Sequence, residues 1–185
     1  MLPTEELKQD HRVIERMCAV LEKAAEKIDK GQDVPVDFFP KAVDFIRIFA
    51  DYAHHGKEEE TLFPAMELHG MPRNDGPVGV MMEEHDQGRA YVRGMDEAAK
   101  QLASGNRIAA KRAAHNARGY ALLLQPHIQK EDNILYEMAD QALSRTEQTE
   151  LSQKFAMIET ERLGKQKRQK YIRLVEELEK ELGVR

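Results

Sequence analysis

The chain has 185 residues, enough for one domain with a substantial core and too few for two complete ones. A formal charge of −5 with 33% charged residues gives no basic excess for neutralising phosphates, so nucleic acid is not expected as a partner. No apolar stretch approaches the roughly 20 residues that cross a bilayer, and the opening MLPTEELKQDH lacks the apolar run of a signal peptide, so a cytoplasmic protein with no membrane partner is expected.

Ala, Glu, Lys, Leu, Arg and Gln dominate and runs of β-branched residues are missing, which is the vocabulary of helix formers and places the chain in the all-α class. The first helical period covers 4–30 with the apolar stripe Leu7, His11, Ile14, Cys18, Leu21, Ala25 and Ile28. Cys18, the only cysteine, reads as a small core residue and rules out an internal disulfide. After the break Gly31–Pro35, the second period covers 36–68. Its stripe is Phe45, Ile48, Tyr52, His55, Glu59, Leu62 and Met66, in alternating steps of three and four. His54 and Glu58 have the same mutual spacing but fall with Arg47, Asp51 and Thr61 on a polar face, so the period selects His55 with Glu59 and leaves His54 in solvent, like His69 and His115.

The third period, 77–104, follows a break rich in Gly and Pro and aligns Val78, Met82, His85, Val92, Met95, Ala99 and Leu102. The fourth, 107–141, aligns Ala113, Ala117, Tyr120, Leu124, His127, Glu131, Ile134 and Met138, again with a glutamate four residues after a histidine. Tyr52 and Tyr120, each on a stripe ahead of its histidine, are read as core fillers. Short connections favour antiparallel neighbours, so residues 1–142 are expected to form an up-down-up-down four-helix bundle. Residues 143–185 make an additional C-terminal helix that opens with a capping box at Ser144–Glu147 and has a weak point at Gly164. Its stripe of Tyr171, Leu174, Val175, Leu178 and Leu182 packs on the bundle or on a second copy in a homodimer, and the basic run Lys165–Lys170 reads as a solvated face.

Each bundle helix therefore offers one inward histidine, and antiparallel geometry tests whether the four meet. The midpoint of His11 and His55 is position 33, that of His55 and His85 is 70, and that of His85 and His127 is 106. All three fall in or at the edge of the breaks, so the four histidines converge on one layer with Glu59 and Glu131. Burying two carboxylates without a compensating cation costs several kcal/mol. His and Glu are ordinary ligands of iron, manganese and zinc, and helix bundles build metal sites from such inward residues. Two ions are expected, because each glutamate can bridge and six protein ligands leave coordination positions open.

The stretches Asp10–Glu15, His55–Pro64, Glu84-His85 with Gly88-Arg89, and His127–Asp132 resemble the hemerythrin-like family, the HHE cation-binding domains. The resemblance implies a di-iron centre in a four-helix bundle, with His11, His55, His85 and His127 as terminal ligands and Glu59 and Glu131 bridging. The chain departs from oxygen-carrying hemerythrins at Arg89, where they place a further histidine, and in offering Glu131 ahead of Asp132, the position of their fourth-helix acid. Helical geometry favours Glu131, although Pro126 can kink the helix and turn Asp132 inward. The expected function is a non-haem di-iron protein that binds or senses dioxygen, nitric oxide or peroxide, or iron itself. The alternative is an enzyme of oxidative or nitrosative stress defence. Manganese or zinc would suit the same ligands.

Overall fold

The computed structural model describes residues 2–184, and they form the expected four-helix bundle with a helical C-terminal segment laid along it. Helix α1 is Pro3–Asp29, α2 covers 38–68, α3 is Gly76–Ala103 and α4 covers 109–142. Among the described residues no helix is long and apolar enough to cross a membrane. The fifth segment, α5, covers 145–182 and is broken at Gly164, where φ is +66° and ψ is 159°, a conformation essentially reserved for glycine. The capping box is present: Ser144 Oγ accepts from the Glu147 N–H, and the Glu147 carboxylate accepts from the Ser144 N–H.

Two of the bundle helices are not uniformly α. In α2 the backbone widens into π-type turns over Ile46–His55 and Glu58–Leu62, and in α4 over Glu131–Leu135. Each extra residue accommodated in a wide turn shifts the facing of all later residues in the helix by about 100°. The stripe drawn through α2 therefore slips: Tyr52 is exposed and lies under the Arg162 guanidinium, while Phe49, Ala50, Ala53 and His54 are buried. Beyond Glu131 the same slip exposes Ile134 and buries Leu135 and Tyr136.

A polar layer divides the core in two. On one side, α1 residues 14–28, α2 residues 38–53, α3 from Val92 and α4 up to Ile128 form the larger apolar cluster. On the other, Leu7, Leu62, Phe63, Met66, Val78, Met81, Tyr136 and Ala139 form the smaller one. Helix α5 spans both. Leu151 and Phe155 of its first arm join the smaller cluster, and Tyr171, Val175, Leu178 and Leu182 of the second join the larger one. The apolar stripe of the extension is thus buried on its own bundle.

Candidate metal centre

The polar layer holds five imidazoles and two carboxylates, all buried: His11 from α1, His54, His55 and Glu58 from α2, His85 from α3, and His127 and Glu131 from α4. Their donor atoms fall into two groups, His55, His85 and His127 in one and His11, His54, Glu58 and Glu131 in the other, each with its atoms within 4.8 Å of one another. The carboxylates stand between the groups. Glu58 Oε2 is 3.6 Å from His85 Nε2 and 3.7 Å from His54 Nε2, and Glu131 Oε2 is 3.2 Å from His11 Nε2 and 3.3 Å from His127 Nε2.

Four of the imidazoles are oriented from behind by a carboxylate at Nδ1. Asp132 lies 2.6 Å from His11, Asp51 3.1 Å from His55, Glu59 2.7 Å from His85 and Glu84 2.9 Å from His127. An N–H at Nδ1 donates to that oxygen, leaving the Nε2 lone pair free to face inward, which is how proteins fix metal-ligating histidines. His54 differs: its nearest carboxylate oxygen, on Asp10, stands 3.6 Å from Nδ1, and that nitrogen has no hydrogen-bond partner.

The donor set fits a cation. Glu58 Oε2, both oxygens of Glu131, and the Nε2 atoms of His85 and His127 are buried without a hydrogen-bond partner, although buried polar atoms are seldom left unpaired. Without a metal, protons take up the load. Against the cost of burial, the carboxylates of Asp132 and Glu131 raise His11 to about 9, those of Glu131 and Glu59 raise His85 to about 9, and Glu131 with Glu84 raises His127 to about 10. Burial and the neighbouring charge of His11 push His54 down to about 4, and burial with the charge of His85 pushes His55 down to about 3. Burial and the charge of Glu131 push Glu58 upward. A cluster that recruits protons to neutralise its carboxylates is one in which a metal ion can replace them.

Of the residues singled out from the sequence, the layer brings together His11, His55, His85, His127 and Glu131. It does not include Glu59, which lies behind His85 and accepts from the Arg89 guanidinium at 2.7 Å. The wide turns of α2 are the physical reason: Glu58 occupies the inward position, and His54, expected in solvent, is 1% exposed. In α4 the α-helical phase holds through Glu131, which faces inward while Asp132 supports His11 from outside. Arg89, at the position of the further histidine of oxygen carriers, ties Asp51 and Glu59 together and so braces His55 and His85. The layer gains its fifth imidazole from His54 instead. Tyr136 also escaped the sequence reading; its hydroxyl donates to Glu58 Oε1 at 2.5 Å. His115 is exposed, and His69 is at the surface, 2.8 Å from Glu147.

A cavity of about 190 Å³ reaches the His55, His85 and His127 side of the layer, with Arg89 and Arg93 among its polar lining residues. Tyr120, whose buried hydroxyl has no partner, lines it too, as does Gly88.

Comparison with known proteins agrees with this architecture. Uncharacterized proteins of Mycobacterium tuberculosis and Mycobacterium bovis are 23% identical to the chain over 180 residues, covering 97% of it and 70% of their own length. No solved structure matches it significantly. The sequence profile described as the hemerythrin HHE cation binding domain matches residues 2–139, a span that contains every member of the polar layer. The chain belongs to the hemerythrin HHE cation-binding domain family.

Proposed function

We propose that this protein holds two iron ions in the polar layer and binds or senses a small ligand there, dioxygen, nitric oxide or peroxide. The observation that carries the reading is two groups of buried imidazoles and carboxylates facing one another, in which Glu58 Oε2, both oxygens of Glu131 and the Nε2 atoms of His85 and His127 have no hydrogen-bond partner. His55, His85 and His127 would hold one ion, His11 and His54 the other, with Glu58 and Glu131 shared between them. Two irons would supply exchangeable coordination positions, the chemistry on which a diatomic or peroxide ligand depends.

The chain's own residues prepare that site. Asp51, Glu59, Glu84 and Asp132 fix the ring orientation of four histidines, and Tyr136 holds the Glu58 carboxylate. The apolar clusters on either side exclude bulk water and strengthen every charge interaction within the layer. The cavity beside His55, His85 and His127 supports approach of a small ligand, and the Tyr120 hydroxyl in its lining supports hydrogen bonding to one. Elemental analysis of anaerobically purified protein, with its ultraviolet and visible spectrum before and after air, tests the reading. The expected result is about two irons per chain and a charge-transfer band that responds to air. One zinc, or no metal, would refute it. Peroxide consumption beyond that of the same quantity of free iron would move the assignment from a binding protein to an enzyme.

A further inference from the structure

The break in α5 at Gly164 lies beside the polar layer, and the charged groups on either side of it reach inward. Arg168 Nη2 donates to Asp10 Oδ1 at 2.7 Å, and the same guanidinium bonds Glu159 at 2.7 and 3.1 Å. Lys57, a lysine with no exposed surface, reaches Asp10 Oδ2 at 3.2 Å, Glu159 at 3.0 Å and Glu6 at 2.8 Å. Both oxygens of Asp10 are thereby engaged by cations. Asp10 Oδ2, the oxygen held by Lys57, stands 3.6 Å from His54 Nδ1, whereas the four counterparts of Asp10 approach their histidines to between 2.6 and 3.1 Å.

We propose that Arg168, holding Oδ1 while Lys57 holds Oδ2, is a positioning residue through which the C-terminal segment fixes the turn of the Asp10 carboxylate away from His54, making His54 the most weakly supported imidazole of the layer. The inference rests on the dinuclear reading above. A carboxylate accepting from Nδ1 raises the basicity of an imidazole and tightens its hold on a metal. Asp10 is placed for that role but turned from it, since closing to a normal hydrogen bond takes a movement of only about 0.7 Å. The anchoring charges come from outside the ligand set: Lys57 from the wide-turn region of α2, and Arg168 from the second arm of α5, where it lies over the Phe49 ring. The consequence is a built-in inequality. The ion beside His11 and His54 is released more readily than the ion beside His55, His85 and His127, and the docking of α5 sets by how much.

The test uses the full chain, loaded with two equivalents of ferrous iron and challenged anaerobically with the chelator ferrozine. Wild-type protein should release iron in two phases. Arg168→Leu should slow the fast phase by about tenfold and leave the slow phase unchanged, because Asp10, released at Oδ1 and held only by Lys57, can turn and close on His54. Arg168→Gln, which removes the charge but keeps a polar side chain, should act in the same direction. In an Asp10→Asn background neither substitution should have an effect, since the acceptor charge is gone. A merely structural role for Arg168 predicts the opposite sign, with faster release in both phases and a lower melting temperature; that result, or an unchanged fast phase, overturns the proposal. Two bound irons with no response to Arg168 would overturn this inference alone, whereas a wild-type chain that takes up no iron would overturn the di-iron reading with it.

Discussion

Exchanging Glu58 and Glu59 for glutamine, one at a time, separates two neighbouring carboxylates that the structure gives different work. Glu58 is fully buried, with Oε1 held by Tyr136 and Oε2 unpartnered toward the histidines. Glu59 is 17% exposed at its side chain and accepts from His85 and Arg89. Glutamine keeps the shape of both, and its carbonyl can still accept from Tyr136 or from the His85 ring. Glu58→Gln removes one charge of a buried pairing between carboxylate and cation, a loss of about 3–5 kcal/mol, which is roughly 150- to 4,000-fold in metal affinity. Glu59→Gln weakens a supporting hydrogen bond to a ligand, about 10- to 100-fold. Titration of each variant against a series of metal–chelator buffers reads the two effects directly. A folding artefact is distinguishable, because removing a buried carboxylate should leave the metal-free Glu58→Gln protein at least as stable as the metal-free parent. If Glu59→Gln empties the site while Glu58→Gln retains metal with parental affinity, the assignment made from the wide turns of α2 is wrong.

Complete metal removal should lower stability by about 2.7 kcal/mol relative to protein held at a hundred times its dissociation constant. That is a melting temperature lower by roughly 5–10 °C for a chain of this size, seen by circular dichroism; an unchanged melting temperature would show that the layer is indifferent to metal. Tyr136→Phe removes a buried hydrogen bond to Glu58 and should cost about 1.5–3 kcal/mol in urea denaturation, while a neutral result would mean that the Glu58 carboxylate is held adequately without it. Gly164→Ala forces a side chain into a backbone region with φ of +66° and should cost about 1–3 kcal/mol. No loss there would show that α5 can cross the level of the polar layer without its glycine.

Much of this protein was legible without a structure, because helical periodicity and antiparallel register are local and arithmetical. The stripes of α1 and α3 hold nearly residue by residue, as does that of α4 up to Glu131, because those stretches keep the α-helical rise and rotation. The convergence of His11, His55, His85 and His127 came from the spacing between histidines and turns alone. The Ser144–Glu147 cap and the break at Gly164 were legible for the same reason, being written in a few consecutive residues.

Tertiary structure decided which atoms complete the layer. The turns that widen over Ile46–His55 and Glu58–Leu62 replace Glu59 by Glu58 and turn His54 inward beside His55. A sequence read at constant period cannot register that slip, because its phase depends on hydrogen bonds chosen by the packed helix and not by residue type. The same holds for contacts between residues far apart in the chain. Nothing local to Lys165–Lys170 distinguishes Arg168 from its solvated neighbours; only the packing of α5 across both halves of the core brings it to Asp10, 158 positions away. The sequence by itself determined that buried imidazoles and carboxylates would meet at one level of a helical bundle. Their identity one residue to either side, and the charges that brace them from behind, were settled by three-dimensional packing, where a rotation of about 100° per residue exchanges inside for outside.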